Sequence, residues 1–446
     1  MAFVRSFYAA VVRSSSNLVI LSMAILVTAC GSEGTGTSSG TGGSGSTSSS
    51  SGTSSNTGGA ATSSSSGGTG GAATSSSSSA TTSSSGSASS SSSDASSSSS
   101  SGTGGMGGGT DAVTFMVVRV GDGSAELSNA STATFLEERN LDGSLVAKAN
   151  NPLALPTAVV GNNQPFAISG TATSEGGLSR SANGKYVTLA GYASAPGVAS
   201  IKGKPSATVN RVVARVDASY AIDTSTRLDS AFNTDNVRGA TSNDGSAFWV
   251  SGTGAGNTGG VWHLALGATG GVQLVGQTGN LPNNVRQTHV FDGQLFGVAG
   301  ASPMFSVFTV GTGLPTTMTT GSALPGMPTA SGPSPFSFAL FDRNAAVPGL
   351  DTCYVADDRG TTDGGGVQKW TYDGTQWKLA TTFNQGLNGD LRGLAGAVTG
   401  ASVTLIVSDP ENVYALVDDG SASPAATKIA TAPANTAFRG VALAPN

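Results

Sequence analysis

The chain has 446 residues, 21 Lys plus Arg against 26 Asp plus Glu, 65 glycines and only two cysteines. A mildly acidic balance with no basic run beyond the extreme N-terminus argues against nucleic acid as a partner. Length alone suggests two or three domains, but much of the first quarter has no side chains from which to build a core, so one folded domain is expected.

Arg5 and Arg13 form a positive leading region, and residues 18–27 (LVILSMAILV) form an apolar run too short to span a bilayer comfortably. The pattern is an export signal covering residues 1–29. It closes on Val27, Thr28, Ala29 and Cys30: an aliphatic residue, a small residue, alanine, then cysteine. This run resembles the lipobox of bacterial lipoproteins. The resemblance implies cleavage before Cys30, a diacylglyceryl group on its sulfur and acylation of the new amino terminus, an anchor far firmer than one chain. Gly31 and Ser32 follow, with no Asp to resemble an inner-membrane retention signal, so the outer membrane of a Gram-negative host is expected.

Residues 30–110 carry this cysteine and a tract made almost entirely of Ser, Gly, Thr and Ala, with Glu33 and Asp94 its only charges and no aromatic residue. Such a segment cannot offset the entropy of ordering and reads as a disordered tether. With Cys30 committed to lipid, Cys353 has no partner in the chain. It lies in the strand-like LDTCYVA and reads as a buried thiol. No second long apolar run follows the signal, so no transmembrane helix is expected in the mature chain.

From residue 111 to 446 the grain changes to valine, threonine and aromatic residues alternating with polar ones in short runs, separated by Gly, Asp, Asn and Pro: strand and turn chemistry. A degenerate repeat runs through it. SANGKYVTLAG at 181–191, SNDGSAFWVSG at 242–252 and VFDGQLFGVAG at 290–300 each place a polar turn ending in glycine before an alternating strand, and AVTGASVTLIVSD at 397–409 repeats the scheme. The turn glycines Gly184, Gly245, Gly293 and Gly400 lie about 50 residues, or twice that, apart. The missing turn falls near Asn344, where a longer insertion is expected. Asp-Gly hairpins at Gly143, Gly374 and Gly420 add further strands to the units.

Four strands per unit at this period describe a β-propeller blade, and the turn grammar resembles that of TolB-like and YVTN-type bacterial propellers. An all-β propeller of about six blades is expected, with room for a seventh in residues 150–175; a sandwich would not explain the period. FRGVALAPN at 438–446 reads as an inner strand completed by strands at 114–120, 135–142 and 144–148, closing the ring with both chain ends in one sheet.

Chemistry-bearing residues are few. Arginine recurs seven or eight positions before the turn, as Arg238, Arg286, Arg392 and Arg439, with Gly177 and Ser337 at the corresponding places of the other units. On inner strands these would gather at one mouth of the channel, either binding an anion or locking neighbouring blades together. His289, three residues after Arg286, is the one candidate general base; His263 reads as an outward strand position. Asp357, Asp358 and Asp363 put three carboxylates in a loop, a candidate for Ca²⁺, though a solvated hairpin loop is the simpler account. Glu175 reads as a turn carboxylate near the channel. GAGNTG at 254–259 matches a nucleotide-binding glycine pattern, but no helix follows it. SNDGSAFW at 242–249 is similar to the Asp-box of sialidase-like propellers, with its glycine one place early.

Two functions follow. The first is a non-enzymatic binding or scaffolding propeller without a cofactor, whose partner is a protein or a small anion. The second is a lyase or hydrolase that uses His289 and the arginines on an anionic substrate. An arginine cluster unpaired by acids, with His289 in reach, would favour the second.

Overall fold

A computed structural model describes residues 113–446, and Cys30, the signal and the Ser/Gly-rich tract lie outside the described residues. Six four-stranded antiparallel units stand in chain order around a centre. The first joins Ala437–Leu443 to Thr114–Val120, Ser131–Asn140 and Leu153–Ala154. The second comprises Leu178–Arg180, Tyr186–Tyr192, Arg211–Asp217 and Ile222–Leu228, and the third Val237–Thr241, Ala247–Gly252, Gly260–Ala265 and Val272–Val275. Val285–Phe291, Gln294–Ala299, Val307–Val310 and Gly321–Ala323 form the fourth; Pro335–Phe341, Thr352–Asp357, Gly366–Tyr372 and Trp377–Phe383 the fifth. Gly393–Thr399, Ser402–Ser408, Asn412–Asp418 and Thr427–Thr431 make the sixth. The first strand of each unit touches the first strand of the next, and the sixth touches the first, so the ring closes. The fold is a six-bladed β-propeller.

The closing blade holds both ends of the described chain. Phe115 pairs with Leu443, Val117 with Val441 and Val120 with Ala437. Phe438 and Val441 bury fully there against Phe115 and Val117, so the last strand carries part of the core. The expected fourth strand at 144–148 is corrected to Leu153–Ala154. Leu145 is 42% exposed, whereas Leu153 and Leu155 are buried and fill the space beneath the second strand, so the register that buries leucine wins. Residues 150–175 do not hold a seventh blade: Ala167–Ser169 pairs with Ser131–Ala133 on one side and Tyr192 on the other, stitching blades one and two into a single sheet.

The repeat is the connection between the first and second strands of a blade. Gly184, Gly245, Gly293 and Gly400 all adopt positive φ, from +59° to +86°, where a side chain would be strained, which is why glycine recurs at that one place. In blade five, Phe341 and Thr352 bound the expected longer insertion.

Candidate functional site

Four of the six inner strands carry an extra residue at the same level. The pairing slips past Arg238 in blade three, Arg286 in blade four and Phe336 in blade five, and at Arg439 and Gly440 in blade one. In blade six the Arg392 N–H donates to Ser408 O beside the Gly393–Ser408 pair. A bulge re-aims the side chain it holds, and the recurring arginine is that residue. The equivalents in the other blades are therefore Phe336 and Gly176, not Ser337 and Gly177, a shift of one that the bulge causes.

Each guanidinium reaches an adjoining blade. Arg238 donates to Asn284 Oδ1 at 2.5 Å, and Arg286 to Pro335 O and Ser334 Oγ, both at 3.0 Å. Arg392 pairs with Asp358 at 2.6 Å, and Asp358 also lies 3.9 Å from Arg286. Phe336 sits beneath both cations, with Arg286 Cζ 3.9 Å and Arg392 Cζ 4.2 Å from its ring centre, so the one non-arginine bulge residue supplies a cation–π platform. Arg439 is buried and donates to Phe438 O at 2.9 Å and Gly170 O at 2.8 Å. Burial lowers the pKa of Arg238, Arg286 and Arg439 to about 10, which leaves all three cationic at neutral pH.

Immediately inside this layer the channel is shut. The next position round the ring is Gly177, Gly239, Gln287, Ser337, Gly393 and Gly440. Without side chains the strands approach closely: Gly177 N donates to Arg238 O at 2.8 Å and Gly440 N to Gly176 O at 3.0 Å. Gln287 spans what remains, accepting from Ser337 Oγ at 2.9 Å, donating to Arg392 O at 3.3 Å and lying over Gly177. Sequence reasoning missed Gln287; the available signal was one long amide among glycines at a position just past the recurring arginine.

His289 lies beneath this plug. Its Nε2 donates to Gln287 Oε1 at 3.2 Å and its Nδ1 accepts from Ser179 Oγ at 3.2 Å, with Phe338 edge-on at 5.0 Å between ring centres. Burial depresses its pKa to about 4. On its other side a cavity of about 100 Å³ opens toward the face that carries the first-to-second-strand turns. Its walls include Phe291, Phe338, Phe341 and Leu394, and Arg180 is its one charged side chain. This cavity has no signature in the sequence, because its walls come from five blades.

The acidic run is a solvated loop only at its far end, where Gly360, Thr362, Asp363 and Gly364 are exposed. Asp357 closes a strand, is fully buried and binds Arg359 at 2.8 Å and Gln368 Nε2 at 2.9 Å, while Asp358 serves the arginines. Asp363 ends a short 3₁₀ turn. Among the described residues no group of three or more His, Cys, Asp or Glu is placed to hold a metal ion.

Glu175 is not in the channel but buried, accepting from Tyr192 Oη and Asn236 Nδ2 at 2.6 Å and from Ser169 N at 2.8 Å; burial raises its pKa. His263 is half-buried beside Trp249, 5.5 Å between ring centres. Cys353 is buried, and burial pushes its thiol pKa up. No helix among the described residues is long and apolar enough to cross a membrane.

No protein-family model and no curated protein matches the chain. Among solved structures it is similar to a candidate 6-phosphogluconolactonase from Bacteroides uniformis, at 12% identity over 72% of this chain and 83% of that one, TM-score 0.39. A candidate TolB from Agrobacterium tumefaciens is 11% identical over 75% and 99%, TM-score 0.33. The β-propeller domain of the Trilobed protease from Pyrococcus furiosus is 10% identical over 72% and 82%, TM-score 0.31. At these scores the likenesses carry no argument about role. The assignment to the β-propeller class rests on the six blades and their closed ring, a framework suited in general to a binding or scaffolding module.

Proposed function

We propose that the chain is an exported lipoprotein, held through acylated Cys30 on the outer membrane of a Gram-negative cell, whose propeller is a non-enzymatic binding module. One observation carries the choice over an enzyme: Asp358 stands between Arg286 and Arg392, while His289 is bonded on both ring nitrogens to Gln287 and Ser179 below the closed layer. Acid chemistry at the arginine mouth would need the reverse, free cations with a base in reach. In this reading the arginines clamp blades and the loops and cavities around the ring do the binding.

Arg238, whose side chain among the described residues bonds only to Asn284, and Arg286, with its long 3.9 Å approach to Asp358, favour a second reading in which this pair contacts an anion. One double variant separates the two. Arg286→Ala with Arg392→Ala leaves Asp358 without a cation, and the clamp reading expects a loss of about 3 kcal/mol in urea unfolding with inorganic phosphate affinity of the folded fraction unchanged. Normal stability with lost phosphate binding would overturn it. For the anchor, Cys30→Ser is expected to abolish labelling by a radioactive fatty acid and release the protein from the membrane fraction; an unchanged distribution would refute the lipid attachment.

A further inference from the structure

The cavity on the turn side of the plug has features that the arginine mouth lacks. Its walls are aromatic and aliphatic, with Phe338 and Leu394 buried and Phe291 and Phe341 partly so. Apolar walls beside a half-buried cation favour a ligand that buries its apolar part and pairs with the charge. Arg180 is that cation. Its Nε donates to Gly184 O at 3.1 Å, and among the described residues neither Nη makes a hydrogen bond and no carboxylate lies within ion-pairing distance. Burial lowers its pKa and no neighbouring acid raises it back. Every arginine of the opposite mouth, by contrast, has at least one guanidinium Nη engaged by protein.

The seat of Arg180 is built by the turn. Gly184 has φ +76°, which favours glycine, and a Cβ there would lie 2.6 Å from both Arg180 Nη2 and Asn446 Oδ1, so the guanidinium packs against the turn beside the Asn446 amide. Fixing Nε on a backbone carbonyl leaves the two Nη groups as a preset fork, the geometry that takes a carboxylate in two parallel hydrogen bonds. A single cation matches a single negative charge better than a doubly charged phosphate. A cavity of about 100 Å³ is smaller than the roughly 150 Å³ void that holds benzene, which limits the apolar part to about three to five carbons.

We propose that this cavity binds a small monocarboxylate with a short branched apolar tail, its carboxylate on the Arg180 fork and its tail against Phe338, Phe341 and Leu394. The proposal rests on the reading of the propeller as a binding module and adds to it a site and a ligand class. Tail burial supplies affinity that scales with apolar area, and the fork supplies discrimination between a carboxylate and its neutral amide.

The test uses the full chain and 3-methylbutanoate, with 3-methylbutanamide and inorganic phosphate as controls, read by calorimetry and by ligand NMR. The parent is expected to bind the acid and to bind the amide about ten- to a hundredfold more weakly. Arg180→Gln is expected to lose the same factor for the acid and nothing for the amide, and Arg180→Lys to fall between. Ala395→Leu, which adds bulk to the cavity wall and keeps the cation, should abolish binding of both; melting curves check that each variant is folded. Equal binding of acid and amide to the parent, phosphate binding that exceeds acid binding, or acid binding unchanged in both Arg180→Gln and Ala395→Leu would each overturn the site. Chemical conversion of the bound acid in the NMR spectrum would instead overturn the non-enzymatic reading while leaving the site in place.

Discussion

Replacing His289 by Gln removes a titrating group from the centre of the ring while keeping a donor and an acceptor for Gln287 Oε1 and Ser179 Oγ. In the parent, burial holds the His289 pKa at about 4, against about 6.5 for an exposed imidazole. A depressed folded-state pKa means that the unfolded chain takes up the proton first. The stability that goes with the neutral ring is therefore complete above pH 6.5 and is lost as the pH falls through about 4. At about 1.4 kcal/mol per pH unit, the gap amounts to about 3 kcal/mol, set by burial since no acid or base pairs with the ring. Urea unfolding of parent and His289→Gln at pH 7.5, 6.5, 5.5, 4.5 and 4 measures it. Carboxylates elsewhere titrate alike in both proteins and cancel in the difference. The variant is expected to be the less stable at pH 7.5, through lost contact with Phe338, and to gain about 3 kcal/mol relative to the parent by pH 4. Parallel curves would refute the enclosure of His289 beneath the plug.

Two further outcomes follow from ring closure. Deleting residues 438–446 removes Phe438 and Val441, each worth about 1.5–3 kcal/mol by burial, and bares the edge of Thr114–Val120; the cooperative thermal transition is expected to be lost, whereas deleting nine residues of the Ser/Gly-rich tract should leave the midpoint unchanged. Gly440→Ala would set a Cβ 2.3 Å from Leu178 N and 2.7 Å from Gly176 O, backbone that cannot step aside, so a loss of about 3 kcal/mol is expected. Gly177→Ala, whose new methyl meets the movable side chain of Gln287 as well as the Arg238 carbonyl, should cost less. Equal unfolding midpoints for the two alanine variants would argue against the tight glycine layer.

What the sequence determined is what local physics controls. Alternation at period two marks a half-buried strand wherever it stands, and the positive φ at Gly184, Gly245, Gly293 and Gly400 is a property of the turn itself. Their spacing was enough for the blade architecture, and a final run with inner-strand character was enough for closure by Ala437–Leu443. The recurring arginines were visible for the same reason, since each repeat places its bulge residue at one offset. Their partners were not visible: Asp358 lies 72 residues from Arg286, and which carboxylate meets which guanidinium depends on how the blades stand side by side. The one-residue slip that makes Phe336 rather than Ser337 the equivalent of arginine comes from a bulge, which pairing creates and sequence spacing conceals. The plug and the cavity were decided at the same level. Gln287 crosses the axis only because glycines let four other strands come close, and Arg180 faces apolar walls only because side chains from five blades converge on one axis, an arrangement produced by closing the ring.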